Sequence, residues 1–99
     1  MKNISYDLVL TIYKHYGREQ QLRQTQEECA ELIAAINKCF RNSNDSMSSL
    51  VEEVADVEIM LAQCKIMLQE ARKIEEYRSV VNKKLRRQLA RIRGQENEA

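Results

Sequence analysis

The chain has no proline, no tryptophan and only two glycines among its 99 residues. Without turn formers, the many tight reversals of a β-sandwich or barrel have nothing to build them. An all-β architecture is therefore excluded, and the Leu, Ile, Val, Met and Ala left to form a core favour helices. Histidine is represented once, at His15, and the three cysteines, Cys29, Cys39 and Cys64, form no Cys-x-x-Cys pair. A zinc site wants four Cys or His ligands, so none is expected. An odd number of thiols on helical stretches reads as reduced, mostly buried cysteine in a cytoplasmic protein. No run approaches the length of apolar sequence needed to span a bilayer. Residues 4–13 are interrupted by Ser5, Asp7 and Thr11 and lack a cleavage-like tail, so a signal peptide is not expected. Excess charge of one sign is also missing. The 16 basic residues meet 15 acidic ones, and a net charge of +1 creates no field to draw the protein onto nucleic acid or a membrane.

What remains is a chain with 43% hydrophobic residues, enough for the modest core of a single domain spanning 1–99. Its core is expected over about 4–93, with a polar tail at 94–99. Four helical segments follow from the spacing of apolar residues. The first, 3–16, carries Ile4, Leu8, Val9, Ile12 and Tyr16 and stops at Gly17, a natural left-handed terminator. The second, 18–41, places Leu22, Thr25, Cys29, Leu32, Ile33, Ile36 and Phe40 on one face. Asn42-Ser43-Asn44-Asp45-Ser46 is a loop, and Ser49-Leu50-Val51-Glu52 reads as a capping box that opens a third helix over 49–70. The fourth, 74–93, sets Ile74, Tyr77, Val81, Leu85 and Ile92 on one face. Between the last two, Gln69–Lys73 contains no Gly or Pro, so the alternative to a break there is one helix running on through it. The fold class is all-α, a compact helical bundle of about four helices.

The third helix is apolar on two sides. At about 100° per residue, Leu50, Val54, Val57, Leu61, Cys64 and Leu68 form one stripe, continued by Met60 and Met67. Ala55, Ile59, Ala62 and Ile66 form another, roughly opposite. Three short partners from one chain do not cover both, so completion by homodimerisation is expected. Glu53 falls among the apolar residues of this helix, with Asp56 one turn along. The second helix carries a similar pair, Glu28 and Glu31, with Gln21, Gln24 and Lys38 near the same stripe. Two antiparallel helices can gather these four acids around one point, where their mutual repulsion calls for a divalent cation. Oxygen ligands alone favour Mg²⁺, or Mn²⁺, over zinc or copper. A di-iron bundle needs Glu-x-x-His pairs and is excluded. The plainer alternative for Glu28 and Glu31 is an ordinary solvated face, while Glu27 and Glu52 point away from the proposed centre.

Glu28-x-x-Glu31, then 21 residues, then Glu53-x-x-Asp56 resembles the ExxE…ExxD signature of the MazG-like all-α nucleoside triphosphate pyrophosphohydrolases. Tyr16-Gly17, Gln21-Leu22, the run Glu27–Leu32 and the run Glu52–Val57 fit the same pattern, so the resemblance covers roughly residues 15–92. It implies a helical protomer that works as a dimer or a dimer of dimers. It also implies a Mg²⁺-dependent hydrolysis of nucleoside triphosphates to monophosphate and pyrophosphate, a nucleotide-pool house-cleaning role. Glu28, Glu31, Glu53 and Asp56 would then be the catalytic, metal-holding residues, with Gln21, Gln24 and Lys38 on the substrate side. Lys84 and Arg87, in the basic run 83–93, match the region that contacts phosphate in similar proteins. Relatives read the base with aromatic side chains. Tyr16 and Phe40 flank the acidic helix, although the core is the plainer place for both. The short 42–48 loop offers little material for a lid.

The basic run also supports a rival reading: a non-catalytic helical interaction or nucleic-acid-binding module using the C-terminal helix. Balanced total charge, and the lack of aromatics within that run, argue against nucleic acid.

Overall fold

A computed structural model describes residues 4–41 and 46–98. Among these residues are four helices and no strand: α1 (Tyr6–Tyr16), α2 (Arg18–Phe40), α3 (Ser46–Glu70) and α4 (Ile74–Glu98). The fold class is all-α, as the composition requires. The described residues group into two compact units, one ending at Met67 and the other beginning at Leu68.

The helix ends depart from expectation in instructive ways. Ser5 accepts a hydrogen bond from the Leu8 N–H, so α1 begins at Tyr6 rather than near residue 3. Gly17 has φ 89° and ψ 165°, a combination open to glycine but not the left-handed helical one. It both ends α1, donating to the Tyr13 carbonyl, and starts α2, accepting from the Gln21 N–H. The helix α3 starts at Ser46, so Ser49 lies one turn inside it and is no cap. Between α3 and α4 the chain does break. Arg72 adopts φ 58°, while Arg72 N–H bonds Gln69 O and Lys73 N–H bonds Leu68 O. That is the paired closure of a Schellman turn, with arginine where glycine usually sits. Beyond it, α4 runs through Gly94 to Glu98, so the expected polar tail is mostly helix. One interior glycine costs about 1 kcal/mol, and no proline follows to stop the helix.

Within the first unit, Val9 and Tyr13 of α1 pack on Ile66 and Met67 of α3, with Ile4, Leu10 and Ala62 at the margin. Each such buried side chain contributes roughly 1.5–3 kcal/mol. The expected faces are rotated, however. On α1, Leu8, Ile12 and Tyr16 are exposed while Tyr13 is buried. On α3 the buried positions are Val57, Met60, Gln63, Ile66 and Met67, whereas Val54, Ile59 and Leu61 are exposed. On α2, Gln21 and Ala35 are buried and Leu22, Ile33, Ile36 and Phe40 are exposed. Phe40, at 84% exposure, and Tyr16 are not core residues. The three cysteines are free and half-buried. In the second unit, Ile74, Tyr77 and Val81 are half-buried. Leu85, Leu89 and Ile92 are exposed.

Candidate metal centre

The seam between α2 and α3 is polar along much of its length, and it explains the rotated faces. At one end Gln21 donates from Nε2 to Gln63 Oε1 at 2.8 Å, a bond between two buried amides. Gln63 is fully buried, and its own Nε2 approaches Met60 Sδ at 3.6 Å. Next along, Thr25 donates to the Gln21 carbonyl at 2.7 Å and touches Cys64 Sγ at 3.9 Å. Two turns beyond Gln21 comes Glu28, which places a carboxylate oxygen within 4.8 Å of one on Asp56. Glu31 stands in the same relation to Glu53.

Glu28, Glu31, Glu53 and Asp56 each place a carboxylate oxygen within 4.8 Å of those of the other three. Helical spacing makes this happen. Residues three apart share a face, so Glu28 with Glu31, and Glu53 with Asp56, each present a pair, and the antiparallel helices bring the pairs together. Glu28 and Glu53 are half-buried, while Glu31 and Asp56 are exposed. Glu28 Oε2 and Glu53 Oε2 are shut off from solvent and lack a hydrogen-bond partner. Burial pushes the Glu28 carboxyl above its ordinary value, the Gln24 hydrogen bond pulls it back, and the charges of Glu31 and Asp56 push it up again. Burial likewise raises Glu53, aided by the negative charges of Glu31, Asp56 and Glu28.

A divalent cation fits this donor set. Oxygens on opposite sides of Mg²⁺ lie about 4 Å apart, so a slight closure of the four carboxylates would surround one ion. Two solvent-excluded oxygens without a donor are what such an ion would satisfy.

The remaining singled-out residues divide. Gln24 donates to Glu28 Oε1 at 2.8 Å and so orients that carboxylate, leaving Oε2 turned elsewhere. Lys38 shares with Glu31 and Glu53 a cleft of about 180 Å³, completed by Ala34, Ala35 and Ser49. Gln21, expected on the substrate side, is buried and spends its amide on Gln63. Lys84 and Arg87 are exposed on α4, in the 68–99 unit, and the four-acid cluster is built wholly from the first unit. Glu27 and Glu52 are exposed and outside the cluster. Gln63 is the residue that sequence reasoning missed. Its signal was an amide between Met60 and Met67 at a seven-residue step from Asp56, where an apolar side chain would be usual.

No protein-family profile, curated protein or solved structure matches this chain. Among the described residues, no helix is long and apolar enough to cross a membrane.

Proposed function

We propose that this chain is a Mg²⁺-dependent nucleoside triphosphate pyrophosphohydrolase that releases a monophosphate and pyrophosphate in cytoplasmic nucleotide-pool house-cleaning. The observation that carries the reading is the cluster of Glu28, Glu31, Glu53 and Asp56, with Glu28 Oε2 and Glu53 Oε2 buried and unpartnered. The resemblance of the ExxE…ExxD pattern supplies the reaction. Bound Mg²⁺ would neutralise phosphate charge and make a water acidic enough to attack. The four carboxylates would hold that ion, and Gln24 would keep Glu28 turned toward it. Lys38, lining the adjoining cleft, adds a positive charge where a phosphate would enter. Mn²⁺ is expected to substitute for Mg²⁺.

A cleft of about 180 Å³ is smaller than the roughly 300–1,000 Å³ of pockets that enclose whole ligands. It suits a phosphate group, and the nucleoside would need further walls. A second copy of the chain provides them in our reading. Ile33, Ile36 and Phe40 of α2 and Met47, Val51 and Val54 of α3 are all exposed in the single chain and favour a homodimer. Lys84 and Arg87 are retained as candidate phosphate contacts.

The test is pyrophosphate release across canonical, deoxy and modified nucleoside triphosphates, with Mg²⁺, Mn²⁺ or EDTA, for the wild type and Glu53→Gln. Metal-dependent release that the folded variant lacks is expected. Salt-sensitive nucleic-acid binding that depends on Arg86, Arg87 and Arg91 and ignores Glu53, with no hydrolysis, would overturn the reading in favour of a binding module.

A further inference from the structure

Four carboxylates brought together repel, so the helices carrying them must be fixed by something outside the cluster. The apolar side chains of the seam are poor at this. Met60, buried beside Gln63, adapts its shape readily, and a flexible thioether tolerates sliding better than a directional bond does. The buried Gln21–Gln63 bond does not slide: at 2.8 Å, a shift of one residue along α3 would break it.

We propose that the Gln21–Gln63 amide bond is the positioning device of the carboxylate centre, setting the antiparallel register that makes Glu28 meet Asp56 and Glu31 meet Glu53. This rests on the metal reading above. The numbering shows the linkage. Seven residues forward from Gln21 is Glu28, and seven residues back from Gln63 is Asp56. One pairing rule therefore places both contacts, about 10 Å apart along the helices. Three residues further in each direction it places Glu31 against Glu53. A slip of one turn moves the carboxylates past each other by about 5.4 Å, more than the 4.8 Å that now contains them. Single buried polar residues fix register in paired helices in the same way, at some expense of stability.

The experiment measures Mn²⁺ affinity by the electron paramagnetic resonance of free Mn²⁺, together with metal-free melting. It compares wild type, Glu53→Gln, the Gln21→Leu/Gln63→Leu double variant, and Ile66→Ala. Exchanging both amides for apolar groups of similar size leaves no unpaired buried donor, so the double variant should melt no lower than wild type. Its Mn²⁺ affinity should nevertheless fall about tenfold or more. Ile66→Ala weakens the α1–α3 core without touching the seam, and should lose melting temperature while keeping affinity. Wild-type affinity in the double variant overturns the proposal, as does an equal loss in Ile66→Ala, which would make the effect one of stability. A wild type that binds Mn²⁺ no better than Glu53→Gln would remove the metal reading itself, and this inference with it.

Discussion

Replacing Glu53 by Gln should raise the melting temperature of the metal-free protein and erase its response to Mn²⁺. The two effects share one cause. Glu53 Oε2 is excluded from water and unpartnered, and Glu31, Asp56 and Glu28 surround the carboxyl with like charge. Above neutral pH the metal-free fold must hold these charges together, and the amide relieves that repulsion while keeping the shape. With metal the balance reverses. An ion bound only by the folded chain, supplied at a hundredfold excess over its Kd, stabilises by about 2.7 kcal/mol. For a chain of this length each kcal/mol moves the midpoint by about 4–8 °C, so the wild type should gain about 10–20 °C. Melting by circular dichroism, with a Mn²⁺ titration against EDTA, measures both arms. Glu27→Gln and Glu52→Gln, exposed and outside the cluster, should behave as wild type. A Glu53→Gln protein that melts lower without metal and keeps the full Mn²⁺ response would refute the reasoning, leaving Glu53 an ordinary carboxylate.

The remaining expectations follow from the same geometry. Glu28 and Glu53 both lie above the ordinary carboxyl value of 4.5, so folding takes up protons between the ordinary and the raised values. Their contribution is therefore complete below the ordinary value and lost as pH rises through the raised ones. Metal-free melting points should fall across that window, by less in Glu53→Gln, and added Mn²⁺ should flatten the curve. Arg72→Gly should stabilise by about 1 kcal/mol in urea denaturation, since φ 58° strains an L-residue and suits glycine. A destabilised variant would mean that the arginine side chain matters more than its backbone. Sedimentation at micromolar concentration should show a dimer that Ile36→Glu with Val51→Glu dissociates. A wild-type monomer would refute the homodimer.

The four helices were legible because their signals are local. Apolar residues recur at helical spacing, and Gly17 separates α1 from α2. The acids were legible for a related reason: three-residue spacing on two helices fixes which side chains share a face before any tertiary contact is known. The break at Arg72 was weakly marked because its closure is made by backbone hydrogen bonds, and the left-handed residue is not the glycine that would announce it. The buried faces were misjudged by one assumption, that the most apolar face of a helix is the inward one. In α2 the inward positions include Gln21, Thr25 and Glu28, and Leu22, Ile33 and Ile36 are displaced outward. Gln63 was invisible for the same reason. An amide inside an apolar stripe looks like an interruption until its partner is known.

These observations connect the site to the exposed apolar surface. A helix offers one face to a given neighbour, and α2 and α3 give much of that face to amides and carboxylates. With a period of 3.6 residues, the apolar side chains of α2 cannot share that face and must turn away from it. The apolar exposure at Ile33, Ile36, Val51 and Val54 is thus the geometric counterpart of a polar seam, not a separate feature. In the homodimer proposed above, a symmetric interface between two copies would recover, twice per dimer, the burial that the seam gives up. On this argument, filling the seam with apolar residues would weaken the need for a partner as well as for a metal. The proposed site and the proposed assembly would then be two consequences of one choice about which residues face inward.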